Sequence, residues 1–135
     1  MDLYIVTHHG LAASGSPQLV HAVRPRVAVM QNGPRKGGAP ATFRTLRSSP
    51  GLEDVWTLHW SYAAGVEENS PGAFIANLDS AATIASVLTA APGGQVTATN
   101  PAHSPAYYIR ISARPDGSFT VTNTRNGFSK TYGRR

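Results

Sequence analysis

Apolar residues in this chain come in short runs broken by glycine, proline and small polar residues. The first run, residues 3–7, holds Leu3, Tyr4, Ile5 and Val6 and reads as a buried strand. It stops at His8, His9 and Gly10. After a small-residue loop, Ser16 followed by Pro17 predicts a helix start, with serine as N-cap and proline in the first turn. Leu19, Val20 and Val23 form its apolar face, and Arg24 before Pro25 stops it. Residues 26–31 are apolar and β-branched and predict a second strand. A strand, a helix and a strand within about thirty residues imply a right-handed parallel βαβ unit.

The pattern continues. Residues 32–38 form a glycine-rich loop after the second strand, and Pro40 opens a helix with Phe43 and Leu46 on one face. Residues 55–60 alternate as a third strand, 61–72 form a polar loop, and 73–78 form a short apolar strand. Residues 81–91 suit a helix around Ile84, Val87 and Leu88. Residues 92–105 read as loop, and 80–104 as a mobile insertion. The end is a hairpin: 107–114, a turn at Pro115, Asp116, Gly117 and Ser118, then 119–124. Asn126 and Gly127 turn the chain again toward a third strand over 128–132. The expected fold class is therefore α/β, a single domain over 1–135, with a βαβαβ unit followed by an antiparallel C-terminal hairpin.

Composition narrows the functional classes. Charged residues make up only 14% of the chain, a surface weakly protected against self-association, so a homo-oligomer is expected. The net charge is +5, which raises a polyanion or nucleic-acid partner. The arginines are scattered, without interleaved aromatics, and a solvated basic surface is the favoured reading. There is no cysteine, which excludes disulfides and thiolate ligands. No run reaches the roughly 18 apolar residues of a membrane span, and the first residues lack the flank and length of a signal peptide. A soluble, cytoplasmic protein without a membrane partner is expected.

Histidines at the carboxyl end of a strand are the leading candidate chemistry. His8 and His9 project from the first strand, and their side chains are expected on opposite faces, so that one of the two binds. His59, near the end of the third strand, approaches them if the strands are neighbours. Asn32, Gly33, Arg35 and Lys36, with Gly37 and Gly38, lie in the loop where open α/β sheets bind ligands, and read as an anion or substrate site. His21 reads as a satisfied surface histidine, and His103 sits in the expected loop. Glu67, Glu68, Asp54 and Asp79 read as solvated acids. Ser14 and Ser16 near His9 lack the G-x-S-x-G elbow of a serine hydrolase.

Val6, Thr7, His8, His9 and Gly10, then Ser14 to Pro17, then Arg24, Pro25, Arg26, Val27, Ala28 and Val29, together resemble the carboxyl half of metallo-β-lactamase-fold proteins of the DNA-uptake competence type. The resemblance covers residues 2–60 and returns over 106–132. It implies half of an αββα sandwich, one or two metal ions, zinc or another divalent metal, and a metal-bound hydroxide attacking an ester or phosphoester. One histidine of the His8–His9 pair would be a late metal ligand. The family's main ligand cluster, His-x-His-x-Asp-His, is absent, and the loop from Lys36 to Pro40 carries no histidine. The chain thus reads as a truncated half, with Met1 an internal start or a cloning boundary. A half sandwich leaves a sheet face uncovered, and a second copy would cover it. Two functions follow: a metal-dependent hydrolase of esters or phosphoesters, or the fragment of one; or a non-catalytic degenerate module that binds polyanions weakly.

Overall fold

In the computed structural model, residues 1–90 and 106–135 are described. Four parallel strands form the main sheet in chain order: β1 (Leu3–Val6), β2 (Val27–Met30), β3 (Asp54–His59) and β4 (Ile75–Asn77). The connections carry α1 (Pro17–Val23), α2 (Pro40–Arg47) and the one-turn α3 (Gly65–Glu68). A fourth helix, α4 (Ala81–Ala90), follows β4. The chain closes with an antiparallel sheet of β5 (Ile109–Ala113), β6 (Phe119–Asn123) and β7 (Ser129–Tyr132). The α/β class, the βαβαβ order and the C-terminal hairpin expected from the pattern are all present. The loop expected over 92–105, His103 and most of the 80–104 insertion lie outside the described residues. Residues 81–90 of that span are helical.

Local signals explain the elements. The Ser16 hydroxyl accepts from Leu19 N at 3.2 Å and Pro17 opens α1, which are the N-terminal devices read from the sequence. Pro40 opens α2, and Phe43 and Leu46 are fully buried. Every residue of β2 is buried, as a central parallel strand covered on both faces requires.

The two faces of the parallel sheet build two cores. Tyr4, Val6, Ala28, Met30 and Val55 pack with Val20, Phe43 and Leu46 from the helices. Val27, Val29 and Trp56 pack on the other side with Phe119, Val121 and Tyr132. The layers are helix, parallel sheet, antiparallel sheet. The sheet face expected to lie uncovered is therefore covered by the chain's own β5–β7, which the hairpin pattern located without revealing what it packs on. Thr120 pairs with Thr131 and Thr122 with Ser129 through their hydroxyls at 2.8 and 2.9 Å, so the far face of that sheet is polar. No helix among the described residues is long and apolar enough to cross a membrane.

Candidate functional site

The carboxyl ends of the four parallel strands carry most of the candidate residues. β1 stops at Val6, and residues Thr7–Gly10 form a 3-10 turn. Inside it His8 and His9 have φ/ψ of 48/40 and 58/14, both left-handed, and Gly10 follows with φ 76. The expectation of side chains alternating across a strand end does not hold, because neither histidine is extended. A non-glycine residue in this region costs about 1–2 kcal/mol, although histidine tolerates it better than most. Two in a row persist only where the surroundings hold them.

The glycine-rich loop after β2 supplies that hold. Gly38 N donates to His9 O and Ala39 N to Gly10 O, each at 2.9 Å. Thr42 Oγ1 donates to Gly10 O and Leu11 O at 3.0 and 3.1 Å. At Gly37, φ is +76 and any Cβ would overlap the His9 carbonyl. At Gly10, a Cβ would come within 2.6 Å of Met30 Sδ, so the turn lies directly on β2. His9 Nδ1 bonds Gln31 O at 2.7 Å. A carbonyl only accepts, so Nδ1 carries the hydrogen and the neutral ring keeps its lone pair on Nε2. That is the arrangement by which a backbone carbonyl orients a ligating or proton-accepting imidazole. His9 is partly buried and His8 exposed.

Within the same loop the predicted anion residues have different fates. Asn32 is buried, and its Nδ2 donates to His59 O at 2.8 Å while Oδ1 accepts from His59 N at 3.4 Å. It thus extends the β2–β3 pairing beyond Met30. Gly33 N donates to Lys36 O at 2.8 Å, closing a tight turn, and Lys36 is exposed. These backbone donors serve the loop itself. Arg35 differs. Its Cζ lies over the Tyr62 ring, 5.1 Å from the centroid, and its Nε and Nη2 are buried with no hydrogen-bond partner among the described residues.

Tyr62 itself was not among the residues singled out from the sequence. It is 2% exposed, and its hydroxyl donates to Asp79 Oδ2 at 2.5 Å. Burial, then the bond to the Asp79 carboxylate, push its pKa well above the ordinary tyrosine value, and nearby Arg35 opposes them. Asp79, read as a solvated acid, holds this tyrosine. The available signal was position: Tyr62 falls three residues beyond the strand end His59, and Asp79 two beyond Asn77.

His59 is buried at the end of β3. β2 lies between β1 and β3, so the strands are not neighbours, and their axes stand two strand spacings apart, about 10 Å. Among the described residues no three of His, Cys, Asp or Glu group closely enough to hold a metal ion.

The remaining candidates have structural duties. His21 Nε2 bonds Ser48 Oγ at 3.0 Å, joining α1 to the end of α2. Ser14 Oγ donates to Leu11 O, and Ser16 caps α1. Glu68 pairs with Arg44 and Arg47, each at 2.8 Å, and Glu67 is exposed. Asp54 accepts from Lys130 and Tyr132. Arg26 pairs with Glu53, and Arg125 donates to Ile75 O and Gly72 O. Several arginines behind the net charge are thus committed internally, which weakens the case for a continuous basic stripe. A cavity of about 290 Å³ opens at the other end of the sheet, near Leu52, Asp54, Val55, Ser70 and Phe74. Its Asp54 and Ser70 are already engaged, Ser70 Oγ on Val55 O.

No protein-family model, no curated protein and no solved structure matches this chain.

Proposed function

We propose that the carboxyl edge of the parallel sheet is a hydrolytic site for small esters or phosphoesters, and that this chain is such a hydrolase or carries part of one. The observation behind this reading is the left-handed His8–His9 turn. Conformational strain that the surrounding loop over-determines is characteristic of functional sites, and here it presents an imidazole whose free Nε2 is fixed by the Gln31 carbonyl. The position at the ends of parallel strands suits ligand binding for the same topological reason as in other open α/β sheets.

A divalent metal such as zinc is part of the proposal as the resemblance implies it. Catalytic zinc takes about three protein ligands. The described residues do not by themselves fit it, since His8, His9 and His59 form no group of three with another donor. Further ligands would come from a second copy of the chain.

The test joins elemental analysis to turnover. Purified protein is assayed with p-nitrophenyl acetate and p-nitrophenyl phosphate before and after chelation and re-addition of zinc. Turnover that chelation abolishes, with stoichiometric metal, is expected. Turnover that survives complete chelation removes the metal. No turnover of any ester or phosphoester, with metal restored, removes the hydrolase.

A further inference from the structure

Two buried nitrogen atoms of one arginine stand out. Arg35 Nε and Nη2 form the side-on edge of the guanidinium, the edge that meets carboxylate and phosphate with two parallel hydrogen bonds. Both atoms are donors only. Burying a donor without a partner costs about 1–3 kcal/mol, and more on a charged group, so folded proteins pair nearly all of them. Here neither atom has a partner among the described residues.

The guanidinium is held by an aromatic ring. Its carbon lies over the buried Tyr62 ring, whose negative face attracts the cation. That contact engages the face of the guanidinium and leaves the in-plane Nε and Nη2 donors without a partner among the described residues. Tyr62 is anchored at both ends: its N donates to Pro34 O at 2.9 Å, in the residue before Arg35, and its hydroxyl donates to Asp79. The tyrosine therefore fixes the loop backbone and the arginine head together. Lys36, the other cation of the loop, is exposed and makes no such arrangement.

We infer that the Nε–Nη2 edge of Arg35, backed by Tyr62 and Asp79, is a receptor for a fully ionised oxyanion, a carboxylate or a phosphate, on the molecule this site takes. The inference rests on the reading of the carboxyl edge as the working site and narrows its substrates to anionic ones. The chemistry follows from the donor set: two parallel N–H groups call for two parallel acceptors and no donor. A neutral amide or alcohol offers only one acceptor.

The experiment is an NMR titration of the full chain at constant ionic strength, following the Arg35 Nε–H signal. Sodium acetate is added in one series and inorganic phosphate in another. A saturable shift is expected in at least one series, and which series responds tells carboxylate from phosphate. Arg35→Lys keeps the charge but loses the edge, and should weaken binding by about tenfold or more. Tyr62→Phe keeps the ring but frees it from Asp79, and should weaken binding less. No saturable shift in either series overturns the inference, as does equal affinity in a folded Arg35→Lys protein. The two readings fail separately. Arg35-dependent binding in a protein that turns over no ester keeps the receptor and removes the hydrolase. Turnover untouched by Arg35→Lys does the reverse.

Discussion

The indole of Trp56 donates to the hydroxyl of Tyr132 at 3.0 Å, one polar bond between the two sheets inside an otherwise apolar core. The same hydroxyl donates to Asp54 Oδ2 at 2.6 Å, where Lys130 also arrives at 2.5 Å. Trp56 further meets Phe74 edge-on at 4.8 Å and stacks on Phe128 at 5.6 Å. The C-terminal sheet is thus docked by direction as well as by area.

Tyr132→Phe removes the acceptor for a buried indole N–H and a donor to Asp54 while preserving volume. A loss of about 1–3 kcal/mol is expected, because the Trp56 indole N–H stays buried without its acceptor, while Asp54 keeps Lys130. Urea unfolding should show a lower midpoint at unchanged slope. A midpoint equal to the parent's would mean the bond is not formed in solution.

Alkaline pH should unfold the protein through Tyr62 and Tyr132. Burial first, then the bonds to Asp79 and Asp54, raise both hydroxyl pKa values above the ordinary 10.0. A raised folded value means that the stabilisation is complete below the unfolded pKa and is lost as pH climbs from there toward the folded one. Stability should be flat with respect to these groups at neutral pH and fall above pH 10.0. Tyrosinate absorbance should show two of the five tyrosines ionising only with loss of the folded circular dichroism signal. Ionisation of all five at the ordinary value in folded protein would contradict the two bonds.

Gly37→Ala places a methyl group on the His9 carbonyl and a side chain at φ +76. The left-handed backbone and the overlap together should cost roughly 2–4 kcal/mol. The damage should be local, read as shifted amide signals of His8, His9 and Gly38. An alanine variant with parent stability and unshifted signals would refute the tight contact between the two loops.

His9 should be locked as the Nδ1–H tautomer in its neutral form, since Nδ1 faces Gln31 O at 2.7 Å. Long-range nitrogen–proton NMR correlations distinguish the tautomers directly. His8, which is exposed, should populate the mixture usual for a free imidazole. A dominant Nε2–H form of His9 would leave no fixed lone pair there and remove the support for the proposed site.

Much of this architecture was legible along the chain. Strand and helix periods, the Ser16 cap, the prolines that open α1 and α2, and the turns at Asp116–Gly117 and Asn126–Gly127 are local signals. They depend on neighbours within a few residues, and the elements formed where those signals lie. Parallel order followed as well, because short apolar strands linked by helices leave little choice of topology. Long-range placement was not legible. Nothing near His8 announces a left-handed backbone, since its hold comes from Gly37, Gly38 and Thr42 about thirty residues later. Nothing near Asn32 says that its amide will pair with His59, or that β2 will stand between the two histidine-bearing strands. Tyr62 and Asp79 are ordinary residues until the strand ends are brought side by side, and nothing near Arg35, read as an anion contact, says that it will lie over Tyr62. The sequence by itself determined the elements, their order and which residues stand at the ends of the parallel strands. Only the tertiary structure decided which side chains meet there, because those contacts join segments whose separation along the chain carries no local periodicity.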